Sequence, residues 1–322
     1  MPTPVTGARP LPAGPLTLAA TRITDDVREC PRAVVGRVLS AYRAAIYIDQ
    51  PAPDGLLVVA IEDVGGVPGG ILVPGVDDLR RIGLWPGMTV VGSPNGLALA
   101  IPAADLTIEL SRAESWSPTL PSAARFGPST DLAATAAAVR RVALSHSPAG
   151  GLAPMLSGSP RADDPWFLRA RAAIGQQLER LGRGDTVAAL GPTVDLLGLG
   201  IGLTPSGDDY LVGLLAGMEA AGDPARFGLA EAIGRQAPAR TAAISAASLL
   251  HAARGAFSER LHDLLLALAR GDVAGLETPI RRVMAYGATS GTDTLVGLLA
   301  ALDLAAGRSA RSRPAQSRTV AA

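Results

Sequence analysis

Apolar and polar positions divide the chain into two regimes near residue 120. From residue 34 the apolar residues come in short runs, several of them alternating, each bounded by Gly or Pro. VVGRVLSAYRAAIYI (34–48), GLLVVAIEDV (55–64), GGILVPG (69–75), MTVVGSPNGLALAIP (88–102) and LTIEL (106–110) predict strands. Turns are expected at Pro53-Asp54-Gly55 and at Pro94-Asn95-Gly96, the second closing a hairpin, and residues 77–82 predict one helical turn. Short strands punctuated in this way predict a small antiparallel β-barrel or sandwich. Residues 1–30 are rich in Pro, Gly and Thr and read as irregular.

Beyond residue 130 the period changes to that of helices. Segments 130–145, 165–181, 206–221, 224–236, 240–253, 258–270, 276–286 and 290–306 are expected to be helical, with Gly or Pro at nearly every junction. Residues 115–129 read as the linker, with Trp116 closing the β-rich core. Residues 308–322 are basic, low in complexity and expected to be disordered. The expected class is α+β: an irregular segment 1–30, a β-rich domain 31–120, an all-helical domain 121–307 with a pseudo-repeated helix, and a tail 308–322.

One stretch repeats. SGDDYLVGLLA (206–216) matches SGTDTLVGLLA (290–300) at nine of eleven positions. A capped, buried helix explains part of this. Two arms of a pseudo-symmetric helical core explain all of it. LVGLLAGM is apolar or small all round and predicts complete burial, with Gly213 and Gly217 on one face for close approach.

The first copy is preceded by GLGIGLTP (198–205). Gly198, Gly200 and Gly202 beside a helix start suggest a cradle of backbone N–H groups for phosphate or carboxylate. Ser206 as N-cap puts Asp209 at N3; alternatively Thr204 caps and Pro205 takes N1. Asp209 has a counterpart in Asp293 and reads as a cap. Asp208 has none, because Thr292 stands there, and is the candidate to bind a substrate amide, an Arg or a Mg²⁺ ion. Two carboxylates oppose anion binding unless a metal, an Arg or a proton offsets them. Thr241, Ser245 and Ser248 fall on one face of the 240–253 helix, where they line a polar pocket or bond back to their own carbonyls.

Composition removes several alternatives. Charge balances to zero, so there is no basic field for nucleic acid. Lysine is absent, which excludes a P-loop lysine, a Schiff base and a lysine base. The lone Cys30 cannot form an internal disulfide, and no signal peptide or membrane span is legible, so a soluble cytoplasmic protein is expected. His146, His251 and His262 lack metal-ligand spacing, and no G-x-S-x-G elbow is present.

GLGIGLTPSGDDYLVGLLAG resembles the G-x-G-x-G-L-T-P-S-G-D-D signature of a bacterial family that includes a subunit of oxamate carbamoyltransferase. Weaker likenesses lie in GRVLSAYRAAIYI, in Ser115-Trp116-Ser117-Pro118, in the Thr241/Ser245 helix and in 289–293. The resemblance implies a subunit that works with two others, one acyl-CoA synthetase-like and one from a second uncharacterised family, in allantoin-derived nitrogen metabolism. It implies interconversion of oxalurate plus phosphate with oxamate plus carbamoyl phosphate. On this motif the residues read as a site for a small anionic amide or ureido substrate place Asp208 at the chemistry. Gly200, Gly202, Thr204, Pro205, Ser206, Gly207, Asp209, Thr241, Ser245, Ser290, Gly291 and Asp293 are expected to bind substrate or phosphate. The alternative is a non-catalytic scaffold or regulatory subunit, in which Gly213, Gly217 and Gly297 serve close packing.

Overall fold

The computed structural model describes residues 15–28, 34–50, 55–93, 96–157, 164–271 and 274–312. Cys30, Pro53, Asp54, Pro94, Asn95 and the last ten residues lie outside them. Two compact units are formed, Met1–Pro118 and Thr119–Ala322.

The first unit is one curled ten-stranded sheet in the order β1-β9-β8-β7-β3-β4-β5-β6-β2-β10. Its strands are β1 (Leu16–Ala19), β2 (Arg22–Thr24), β3 (Val34–Ala41), β4 (Ala45–Asp49), β5 (Leu56–Ile61), β6 (Gly70–Val73), β7 (Thr89–Gly92), β8 (Ala98–Ile101), β9 (Leu106–Glu109) and β10 (Glu114–Trp116). A four-residue helix, α1 (Asp25–Arg28), follows β2. The sheet is mixed: β1 with β9, β5 with β6 and β2 with β10 are parallel, and the other neighbours are antiparallel. Ile23, Ile46, Ile48, Leu57, Val59, Ile71, Ile101, Leu106 and Ile108 fill its core, so branched aliphatics replace the missing aromatics.

Two expectations fail here. Within the segment read as irregular, β1 and β2 are strands, each held by a later parallel neighbour. Strands of three or four residues are too short to show alternation, and tertiary pairing decides them. Thr24 adds a side-chain lock: its hydroxyl donates to Gly70 O at 3.3 Å and accepts from Gly70 N–H at 3.0 Å. Trp116 does not close the core. It is half-buried on β10, lies against Gly66 and carries the Arg22 guanidinium 6.0 Å from its ring centroid. The boundary between the two units falls inside the stretch read as the linker, and its later part is held within the second unit, where Leu120 N–H donates to Gly255 O and Phe126 N–H to Ala220 O.

The second unit contains α2 (Leu132–His146), α3 (Pro154–Ser157), α4 (Pro165–Gly182), α5 (Thr186–Asp195), α6 (Ser206–Ala220), α7 (Ala225–Arg240), α8 (Ala243–Ala253), α9 (Glu259–Arg270), α10 (Glu277–Met284) and α11 (Ser290–Ser312). α5 is not legible in the sequence because Pro192 sits inside it. The carbonyl of Ala188, which Pro192 cannot engage, accepts instead from the Arg180 guanidinium at 2.8 Å. α11 runs past residue 307, so the start of the expected disordered tail is helical.

The two repeat copies are the central pair, α6 against α11, and the pseudo-symmetry is reciprocal. A Cβ on Gly213 would meet Thr294 O at 1.9 Å, and one on Gly297 would meet Tyr210 O at 1.9 Å. Thr294 and Tyr210 occupy equivalent repeat positions, as do Gly213 and Gly297. The helices run in the same sense with their starts side by side, and Thr204 Oγ1 lies 2.8 Å from Ser290 Oγ.

Candidate functional site

The signature loop joins α5 to α6 and turns on glycines at positive φ. Gly198 has φ 72°, Gly200 φ 138° and Gly202 φ 104°. A Cβ at Gly198 would fall 2.2 Å from Arg240 O, and one at Gly200 would fall 2.5 Å from Ser206 N. These two glycines permit close backbone approach. Gly202 faces open space between the exposed Ile201 and Leu203.

Asp208 ties this loop to the α7–α8 corner. Its Oδ1 accepts from Gly198 N–H at 2.8 Å; its Oδ2 accepts from Thr241 Oγ1 at 2.5 Å and Ser245 Oγ at 2.7 Å. Both oxygens are therefore held by protein donors. Burial pushes the carboxyl above its usual range, and these three hydrogen bonds oppose the shift. Thr241 lies between α7 and α8 rather than in a helical stripe with Ser245, and Ser248 bonds back to Ile244 O at 3.2 Å.

The α6 start differs from both capping readings. Pro205 is the N-cap, without a side-chain capping bond, so Ser206 is the first helical residue. Gly207 N–H donates to Leu199 O at 2.8 Å, and the N–H groups of Asp208 and Asp209 turn back to Pro205 O. This narrows the expected cradle. Ser206 and Thr204 are drawn instead toward the second copy. Gly291 is also a packing residue: a Cβ there would lie 2.0 Å from Val283 O.

The two remaining carboxyls occupy equivalent positions of the repeat, and the Asp293 charge is felt at Asp209. Asp209 takes hydrogen bonds from Ser290 and Thr204, and Asp293 from Ser206 and Thr289, so each copy's serine serves the other copy's aspartate. Asp293 Oδ1 also accepts Leu152 N–H at 2.6 Å, with Gly151 so close that a Cβ would fall 2.4 Å from the same oxygen. Asp209 Oδ2 and Asp293 Oδ2 are buried without a hydrogen-bond partner. Burial pushes the Asp209 carboxyl well up, and the Asp293 charge adds to this; burial raises Asp293 to about 6. Protonation thus offers the offset that the charge conflict demanded, with no Arg among the groups acting on either carboxyl. Among the described residues no three His, Cys, Asp or Glu side chains gather as a metal site.

The structure brings Thr204, Pro205, Ser206, Gly207, Asp209, Ser290 and Asp293 to one place, while Asp208 ties the same loop to Thr241 and Ser245. Gly202 stays at the open loop tip. Sequence reasoning missed Gly151 and Leu152; the Gly-Gly pair at 150–151 was the signal. His146 lies apart, 3.4 Å from Glu277.

Residues 196–302 match the family model described as oxamate carbamoyltransferase subunit AllH. The match begins at the glycine loop and ends in α11, so it takes in both repeat copies and the α7–α8 corner. It supports the resemblance carried by the loop signature. No solved structure matches the chain. Among the described residues no helix is long and apolar enough to cross a membrane.

Proposed function

We propose that this chain is a subunit of a carbamoyltransferase that interconverts oxalurate plus phosphate with oxamate plus carbamoyl phosphate, and that the α6–α11 starts meet its small amide-bearing substrate. The family match over 196–302 is the observation that carries this reading. The chemistry of the place suits it. Two parallel helix starts bring their positive ends together, which favours negative charge. Hydroxyls of Thr204, Ser206 and Ser290 and the carboxyls of Asp209 and Asp293 supply directional hydrogen bonding to groups such as ureido nitrogen and carboxylate.

In the reaction a phosphate oxygen bonds to the carbamoyl carbon, the bond from that carbon to the oxamate nitrogen breaks, and that nitrogen takes up the proton that phosphate gives up. No covalent protein intermediate is needed, so positioning and charge stabilisation are what a subunit contributes. Asp208, Thr241 and Ser245 position the loop rather than touch substrate. Gly200, Gly202, Gly207 and Gly291 give the backbone its close approaches and loop turns. The partners are two further subunits, one acyl-CoA synthetase-like and one of a second family, in nitrogen metabolism in the cytoplasm.

Reconstitution tests the proposal. Oxalurate and phosphate are given to the partner subunits with and without this chain, and carbamoyl phosphate is measured. Formation only when the chain is present supports it; equal formation without the chain refutes it.

A further inference from the structure

We propose that Asp209 and Asp293 form a carboxyl pair that reads a primary amide or carbamoyl group, one carboxyl donating to its carbonyl oxygen and the other accepting from its N–H. The inference rests on the carbamoyltransferase reading and names the part of the substrate that this place recognises.

The argument starts from two orphaned atoms. Asp209 Oδ2 and Asp293 Oδ2 have no partner, yet Asp209 is 9% exposed and Asp293 0%. A buried polar atom without a partner costs free energy comparable to a lost hydrogen bond, and two at equivalent positions of a repeat are not an accident of one loop. At the same helix starts Thr292 Oγ1 is also buried without a partner, whereas Ser206 and Ser290 serve the aspartates, Thr204 meets Ser290, and Asp208 takes three donors.

Charge then selects the ligand. The groups acting on Asp209 are the Asp293 and Asp208 charges and the Ser290 and Thr204 hydroxyls; those acting on Asp293 are the Ser206 and Thr289 hydroxyls and Leu152 N–H. Two neighbouring buried carboxyls hold one proton between them more readily than none. One O–H and one carboxylate oxygen then face the ligand. A bare dianion meets one good contact and one repulsion. Among the described residues a divalent cation finds no third His, Cys, Asp or Glu beside the two carboxyls. A primary amide presents a carbonyl acceptor and an N–H donor side by side and satisfies both. The loop that leads into α6 is open at its tip, where Gly202 meets open space and Ile201 is 74% exposed.

Calorimetry on the full chain at pH 7 tests this with oxamate against oxalate, which replaces the amide by a second carboxylate, and with carbamoyl phosphate against acetyl phosphate. Oxamate and carbamoyl phosphate are expected to bind about 10- to 100-fold more tightly than their partners, the range for one unsatisfied buried hydrogen bond. Asp293→Asn and Asp209→Asn are expected to bring those ratios close to one. Should either variant fail to fold by circular dichroism, the ratios for the unaltered chain decide alone. Oxalate binding as tightly as oxamate, no oxamate binding to folded chain, or Mn²⁺ binding that Asp293→Asn abolishes each overturns the inference. Carbamoyl phosphate formation by the assembled enzyme is read separately, so the subunit reading stands or falls on its own.

Discussion

Gly213 and Gly297 face each other's helices at equivalent points: a Cβ on Gly213 would lie 1.9 Å from Thr294 O, and one on Gly297 1.9 Å from Tyr210 O. Neither carbonyl can retreat, because each is committed to a buried helix. Gly213→Ala is therefore expected to destabilise the helical unit by about 3 kcal/mol or more, well beyond the small gain in helix propensity. Gly234→Ala has no atom within 4 Å of its Cβ and is the control. Urea unfolding followed by circular dichroism compares them; equal midpoints would contradict the close crossing.

Asp208 holds three donors from two separate parts of the chain. Asp208→Ala leaves the buried Ser245 hydroxyl, Thr241 and Gly198 N–H without their acceptor and is expected to cost about 2–4 kcal/mol. Asp208→Asn keeps one acceptor and is expected to cost less. Thermal melts of the two variants check the order.

The pH dependence follows from Asp293. Its folded pKa, about 6, lies above the ordinary 3.8, so the unfolded state loses that proton more readily. The contribution to stability is thus full below about 4 and is lost as pH rises through about 6. The shift of about two units corresponds to roughly 3 kcal/mol at most. The unit is expected to melt higher at pH 5 than at pH 7, and Asp293→Asn to flatten that difference while raising the pH 7 melting temperature. Melting curves across pH 4.5–7.5 measure this; a steeper slope in the variant would contradict it.

Acidification is also expected to weaken ligand discrimination. With both carboxyls protonated, the charged acceptor for the N–H becomes a weaker neutral one and the charge that repels oxalate is gone. The oxamate-to-oxalate affinity ratio should fall as pH drops from 7 to 5, read by calorimetry on the full chain.

Much of this architecture could be read from residues alone, for identifiable reasons. The change of period near residue 120 separated strands from helices, and the repeat at 206 and 290 exposed the central helix pair. The strands at Leu16–Ala19 and Arg22–Thr24 escaped because they are too short to carry a pattern. α5 escaped because Pro192 argues against a helix, and only the Arg180 contact resolves that. At the site, Thr241, Ser245 and Asp208 were legible as members but not as one hydrogen-bonded strap. Asp209 looked like a cap because capping is local, whereas its partner Ser290 is eighty-one residues away. Pairings across the fold are set by packing, which a single sequence does not display.

The most direct test is phosphate-dependent release of oxamate from oxalurate by the assembled enzyme, measured with the unaltered chain, with Asp209→Asn and with the chain left out. The predicted result is turnover with the unaltered chain, a fall of about 10- to 100-fold with Asp209→Asn in folded, assembled enzyme, and none without the chain. Undiminished turnover when the chain is omitted would contradict the account.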